Sequence, residues 1–336
     1  MATMTMREAI SQTIHAEMAR DSNVLIMGED IVGGNGTEGG TEAIGGIWGL
    51  TGGLYDKFGA NRVIDTPISE SCIIGAAAGA ALAGKRAIAE LMFADFVGVC
   101  LDQLYNQIAK FRYMFGGKAT CPITVRITYG AGMNCAAQHS QAVYAMLTSI
   151  PGLKVVMPTT PADAKGLLTA AIRGDDPVMF FEHKTLYGES GEVPDGDHIL
   201  PFGHARLVRE GRDATIVTCG QLVNFAAAAA DRLAKDGIAC DVIDLRTTSP
   251  LDEEAILDSV EMTGRLIVAD ESPPRCSLAS DIAGLVASQA FASLRAPVEL
   301  VTAPHSPVPF ARELESAYLP SSAKIEAAVR KSLAYR

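Results

Sequence analysis

The chain has 336 residues, of which 48% are hydrophobic and 20% charged, and it carries a formal net charge of −11. That length accommodates two ordinary domains, each with its own core. The acidic balance, without any cluster of Lys and Arg, excludes nucleic acid as the main partner, because phosphate neutralisation requires such clusters.

In chain order, Met6 to Arg20 carries Ile10, Ile14 and Met18 at helical spacing, and Val24 to Asp30 reads as a buried strand ending in two acids. A loop from Val32 to Trp48 holds seven glycines. Within it, Gly34-Asn-Gly-Thr-Glu-Gly39 matches the dinucleotide fingerprint in form only, since more glycine and Trp48 intervene before the next helical pattern, Leu50 to Phe58. The loop reads as a mobile surface segment, or as one that folds over a ligand or partner.

The strand Arg62 to Thr66 leads into a helix, up to Gly84, that has no charge between Glu70 and Lys85. A helix apolar all round is expected to be buried on every side. Glu70 stands at its mouth, with Ser69 available as a cap. Burial raises a carboxylate pKa while a helix N-terminus lowers it, so Glu70 is either a proton-sharing acid or first-turn complement to the helix dipole.

A strand at Ala87 to Phe93 precedes a long helix expected over Phe96 to Phe115, closed by Gly116 and Gly117. After a strand at Pro122 to Thr128, a loop of small residues delivers His139 to the start of a helix running to Ile150. There the dipole disfavours the imidazolium, and a neutral imidazole suits proton transfer near neutral pH; a capping or interface histidine is the alternative. Strands at Leu153 to Pro158 and Val178 to His183 flank a helix opened by Pro161. Glu182 and His183 read equally as structural, and His198 and His204 receive no role.

From Tyr187 to Pro201 the composition turns to Gly, Glu, Asp, Pro and Ser, marking a domain boundary. A second βα series runs from Ala205 to a closing helix at Ala323 to Ala334. The expected fold is therefore α/β: two tandem domains over 1–187 and 202–336, joined by a linker over 188–201, each a mainly parallel sheet flanked by helices. The seven Cys are scattered without a Cys-x-x-Cys pair and read as reduced thiols. The first residues contain no apolar signal core, and no run of about 20 apolar residues is free of charge, so a cytoplasmic protein is expected. No transition-metal spacing, nucleophile elbow or Walker loop occurs.

Ligands of open α/β sheets bind beyond the carboxyl ends of the strands, which singles out Glu29, Glu70, Phe96 and His139. At this point Asp65-Thr-Pro-Ile-Ser-Glu70, Ala136-Ala-Gln-His-Ser-Gln141, Pro151-Gly-Leu-Lys-Val-Val156 and Asp163-Ala-Lys-Gly166 together carry a resemblance. The chain resembles the beta subunit of the decarboxylating component of 2-oxoacid dehydrogenase complexes, along nearly its whole length. Glu90 to Cys100 and Asn106 to Lys118 look most like the acetoin dehydrogenase branch, with the pyruvate and branched-chain enzymes as further members.

The resemblance implies a transketolase-like pyrimidine-binding domain followed by a transketolase C-terminal domain. It implies thiamine diphosphate shared with an alpha subunit. That subunit would hold the magnesium diphosphate, since the Gly-Asp-Gly…Asn signature is missing here, in a heterotetramer with two of each subunit. By resemblance Glu70 pairs with the aminopyrimidine, Phe96 stacks on it, Glu29 is a second acid near the cofactor, and His139 transfers protons and passes a two-carbon unit to a lipoyl arm. The family can also bind potassium through main-chain carbonyls, matching Ile123, Ala171, Ile172 and Gly174, plus Asp176, although Gly174 replaces an acid and Asp176 an amide of some members. A lipoyl-bearing acyltransferase core is the implied outer partner, with Arg295 and Arg336 departing from the acidic pattern of some members. A non-catalytic assembly role is the alternative from another class, supported by the small residues Gly75 to Gly79.

Overall fold

Thr5 and Glu8 exchange hydrogen bonds as a capping box and start α1 (Met6–Arg20) directly after β1 (Ala2–Thr5). In the computed structural model the described residues are 1–32 and 45–335, so the Gly34 to Gly39 match and most of the glycine-rich loop lie outside them. The chain divides into two compact units, Met1–Tyr129 with Leu147–Phe202, and Gly130–Met146 with Gly203–Arg336.

The first unit contains β2 (Val24–Glu29), α2 (Leu54–Phe58), β3 (Val63–Thr66), α3 (Glu70–Leu82), β4 (Arg86–Leu91), α4 (Phe111–Met114) and β5 (Ile123–Tyr129). After the short helix α5 (Tyr144–Thr148), it continues with β6 (Lys154–Val156), α6 (Pro161–Arg173), β7 (Val178–His183) and β8 (Ser190–Val193). Six of these strands run parallel in the order β6-β7-β5-β4-β2-β3. The central strands β5 and β7 are buried at every residue, as expected of strands covered on both faces. Helices α1 and α6 pack together on this sheet, and Met6, Ile10, Ile14, Leu167, Leu168 and Phe180 share one core.

The stretch expected as linker is partly ordered structure, because β8 pairs antiparallel with β1. The long helix expected from Phe96 to Phe115 is broken. A 3₁₀ turn over Ala94–Gly98, a π turn over Gln103–Ile108 and α4 replace it. Beside the π turn, Gly152 packs so closely that a Cβ there would stand 1.9 Å from the Ala109 carbonyl oxygen. The widened turn is seen in Ala109 N–H, which donates to the Leu104 carbonyl five residues back.

The second unit contains β9 (Arg206–Arg209), β10 (Ala214–Thr218), α7 (Gln221–Lys235), β11 (Cys240–Asp244), β12 (Thr247–Ser249), α8 (Glu253–Thr263), β13 (Leu266–Asp270), α9 (Leu278–Gln289), β14 (Glu299–Thr302), α10 (Arg312–Tyr318) and α11 (Ser322–Ala334). Its five-stranded sheet runs β14-β13-β10-β11-β9, parallel except for β9. Ala226, Ala229, Leu233, Val242, Ile267 and Val329 form its core under α7 and α11. The fold class is thus the expected α/β pair. No helix among the described residues is long and apolar enough to cross a membrane.

Candidate functional site

Parallel pairing of Gly28 with Asp65 and of Glu29 with Thr66 sets the carboxyl ends of β2 and β3 side by side. On the other side of β2, Gly28 leaves room for β4, since a Cβ there would lie 2.9 Å from the Glu90 Cβ. Glu29, half-buried, has its pKa raised first by burial, then by the charges of Asp30, Glu70 and Asp65. Glu70 begins α3 and is 8% exposed. The Ser69 side chain does not cap the helix; its Oγ donates to the Pro67 carbonyl at 3.0 Å, while the Ser69 carbonyl accepts from Cys72 and Ile73. The Glu70 charge is also felt at Cys100, whose buried thiol is pushed up to about 12 by desolvation and then by Glu70.

Phe96 lies half-buried in the 3₁₀ turn that follows β4. Its ring meets Phe93 edge-on, with centroids 6.1 Å apart at 85°, and Phe93 in turn meets Trp48 at 6.4 Å. Ser71 Oγ donates to the Val99 carbonyl at 2.6 Å and so fastens the start of α3 to this turn. Glu29, Glu70 and Phe96 are therefore all carried at the same end of one sheet, on segments following adjacent strands. The helix behind Glu70 is not buried all round within this chain. Cys72, Ala76, Gly79 and Leu82 form an exposed stripe without charge, and a Cβ built on Gly79 would meet nothing within 4 Å.

A buried ionic network lies in the same sheet. Arg126 Nη1 donates to Glu90 at 2.6 Å, and Nε and Nη2 donate to the two Glu182 oxygens at 2.7 Å each. Tyr187 donates its hydroxyl to Glu182 at 2.6 Å. Burial raises the Glu90 pKa against the pull of Arg126, with Glu182 adding to the rise, because two carboxylates share one guanidinium. Glu182 is thus structural. His183 holds Thr185, whose hydroxyl lies 2.8 Å from Nδ1, and packs edge-on against Tyr129. Sequence reasoning missed this network, although single charges inside the apolar runs of β4, β5 and β7 were its visible signal.

His139 belongs to the second unit and lies half-buried in a turn, five residues before α5 begins. The expected helix-start position, and the dipole argument built on it, do not apply. Acids of the second unit hold the His139 loop. Ala131 N–H donates to Glu271 at 2.7 Å, while Gly132 and Asn134 N–H donate to Glu315 at 2.8 and 3.0 Å. Tyr144 donates to Asp270, whose pKa burial raises while Tyr144 and the Ser272 and Ala279 N–H groups pull it down. Asn134 and Ala136 take positive φ of 55° and 59° in this loop. None of these clamps is visible in sequence, because Glu271 and Glu315 are remote in the chain.

Of the residues matched to potassium, Ile172 and Gly174 offer carbonyls that accept from Arg86, and the Asp176 carboxylate is paired with Arg112 and Lys154. The Ala171 carbonyl accepts from Gly174 N–H at 3.3 Å, and Ile123 opens β5. Among the described residues no group of three or more His, Cys, Asp or Glu is placed to hold a metal ion. Arg295 is exposed and its stem lies against Gly264, while Arg336 is outside the described residues.

Residues 2–190 match the family described as transketolase, pyrimidine binding domain, and residues 203–325 match transketolase, C-terminal domain. The chain is 56% identical over 330 residues to the acetoin:2,6-dichlorophenolindophenol oxidoreductase subunit beta of Cupriavidus necator, covering 98% of this chain and 97% of that protein. Against the subunit of the same description in Bacillus subtilis it is 55% identical over 324 residues, covering 96% and 95%. It is 44% identical over 333 residues to the 2-oxoisovalerate dehydrogenase subunit beta of Bacillus subtilis, covering 98% and 99%. Among solved structures, one described as a split gene transketolase, inactive beta4 tetramer, superposes with a TM-score of 0.78 at 23% identity, covering 99% of both chains. That likeness concerns the fold.

Proposed function

The chain belongs to the family of transketolase-type dehydrogenase beta subunits, and on that premise we propose that it serves an acetoin dehydrogenase. The reaction would be thiamine-dependent cleavage of acetoin with transfer of the two-carbon unit to a lipoyl group. The choice of acetoin over pyruvate or a branched-chain 2-oxoacid follows the relatives, which are more similar on the acetoin side. The observation that carries the site is the Glu70 carboxyl, nearly buried at the first turn of α3 and close enough for its charge to act on Glu29. A carboxyl in that condition suits a partner from outside the chain that shares a proton with it.

Thiamine diphosphate, when bound, supplies the nucleophilic carbon and the electron sink that carbon–carbon cleavage needs. Glu70 would hold the ring nitrogen of its aminopyrimidine and share a proton there. The half-buried ring of Phe96 would give that heterocycle an apolar face. Glu29, whose pKa burial and neighbouring acids raise, would serve as a second acid near the cofactor. His139 is assigned to proton transfer and to handing over the two-carbon unit.

Magnesium and the diphosphate are assigned to an alpha subunit. The uncharged stripe on α3, where Gly79 has open space, supports a partner packing closely there. An assembly of two alpha and two beta subunits, docked on a lipoyl-bearing acyltransferase in the cytoplasm, completes the reading.

The test is co-expression with the alpha subunit and an assay of substrate-dependent dye reduction. Acetoin is expected to outperform pyruvate and 2-oxoisovalerate, and the reverse order would overturn the substrate choice. Glu70→Gln is expected to lose roughly 10²–10⁴-fold in turnover, in the range of general acid–base contributions. Unchanged turnover in that variant would remove Glu70 from the mechanism.

A further inference from the structure

The last carbonyls of an α-helix have no intrahelical partner and form its negative pole, so a cation is favoured there. At the end of α6 that cation is a side chain. Arg86, the first residue of β4, donates Nη1 to the carbonyls of Ile172 at 3.3 Å, Arg173 at 3.1 Å and Gly174 at 2.7 Å. Its Nη2 donates to Asp175 Oδ1 at 2.8 Å, and its Nε lies 3.8 Å from Asp21.

Two further acceptors at this helix end are occupied as well. The Asp175 carbonyl accepts from Cys121 N–H at 3.1 Å and Arg112 Nη2 at 3.3 Å. Asp176 accepts from Arg112 at 2.5 Å and Lys154 at 3.1 Å, so its carboxylate is already paired with two cations. Three carboxylates (Asp21, Asp175 and Asp176) therefore face three cations (Arg86, Arg112 and Lys154).

The residues that match a potassium site do not fit one. A potassium ion needs several oxygens converging on one point with their lone pairs available. Here Gly174 brings no carboxylate, and its carbonyl and that of Ile172 already receive the planar guanidinium. We propose that Arg86 stands in for the monovalent cation at the end of α6, so that this protein needs no potassium there. The fork of the guanidinium matches the fan of carbonyls, and its charge is present at every physiological pH. The substitution is independent of which substrate the enzyme cleaves.

The test is thermal unfolding of the purified protein in potassium, sodium and choline chloride at equal ionic strength. Wild type is expected to melt within about 1 °C in all three salts, whereas Arg86→Met, which keeps much of the stem, melts roughly 5 °C lower in choline and recovers in potassium. A saturable stabilisation of wild type by potassium over sodium would overturn the proposal, and so would Arg86→Met melting with wild type in choline. Should the variant fail to fold, thallium(I), a potassium mimic with strong anomalous scattering, decides on wild-type crystals. No peak at the carbonyls of Ile172 and Gly174 is expected, and a peak there would overturn the proposal.

Discussion

The charge of Glu70, on the first turn of α3, reaches Glu29 at the end of β2 and helps raise its pKa, after burial and Asp30. Glu29 thus titrates in the field of an acid remote from it in sequence, which is how a fold prepares a proton-exchanging site.

This coupling has a defined sign. Unfolded, Glu29 ionises in the ordinary glutamate range; folded, it keeps its proton to higher pH. The folded state then binds more protons across that window, so stability falls as pH rises through it. Glu29→Gln removes the loss. The variant is expected to melt about 1–3 °C above wild type at neutral pH and to converge with it near pH 4, while losing turnover. A scan of melting temperature against pH checks this.

Arg126 is 2% exposed and neutralises two carboxylates. Arg126→Met leaves Glu90 and Glu182 facing each other without a cation, at a cost of about 3–5 kcal/mol. The melting temperature is expected to fall by roughly 10 °C, and differential scanning fluorimetry measures it.

Glu315 is buried and satisfies two backbone N–H groups of the loop that carries His139. Glu315→Ala orphans both, at about 1–3 kcal/mol, while Glu315→Gln retains an acceptor. Hydrogen exchange of the amides of residues 130–143 is expected to speed up strongly in the first variant and weakly in the second.

Gly79 faces open space in this chain, so a larger side chain costs little within it. Gly79→Leu is expected to leave the melting of the isolated chain within about 2 °C of wild type but to weaken assembly with the alpha subunit. Size-exclusion chromatography with light scattering separates the two effects.

Patterns repeated every two or 3.6 residues are local, and they determined the α/β class, the order of nearly all strands and helices, and the placement of Glu29, Glu70 and Phe96 after strand ends. The Pro161 helix start was equally legible, because proline at a first helical turn is a local signal. Features made by segments meeting from afar were not. The first-to-last pairing of β1 with β8, the close approach of Gly152 to Ala109, and the late start of α5 after His139 all depend on where remote backbone arrives. Around Glu70, local sequence supplied a lone acid at the mouth of an apolar helix. Tertiary structure alone decided that its charge would act on Glu29 and Cys100, and that the Ser69 side chain would turn away from capping the helix. Hydrogen bonding and charge act over a few ångströms in space, and only the folded chain determines which residues those ångströms contain.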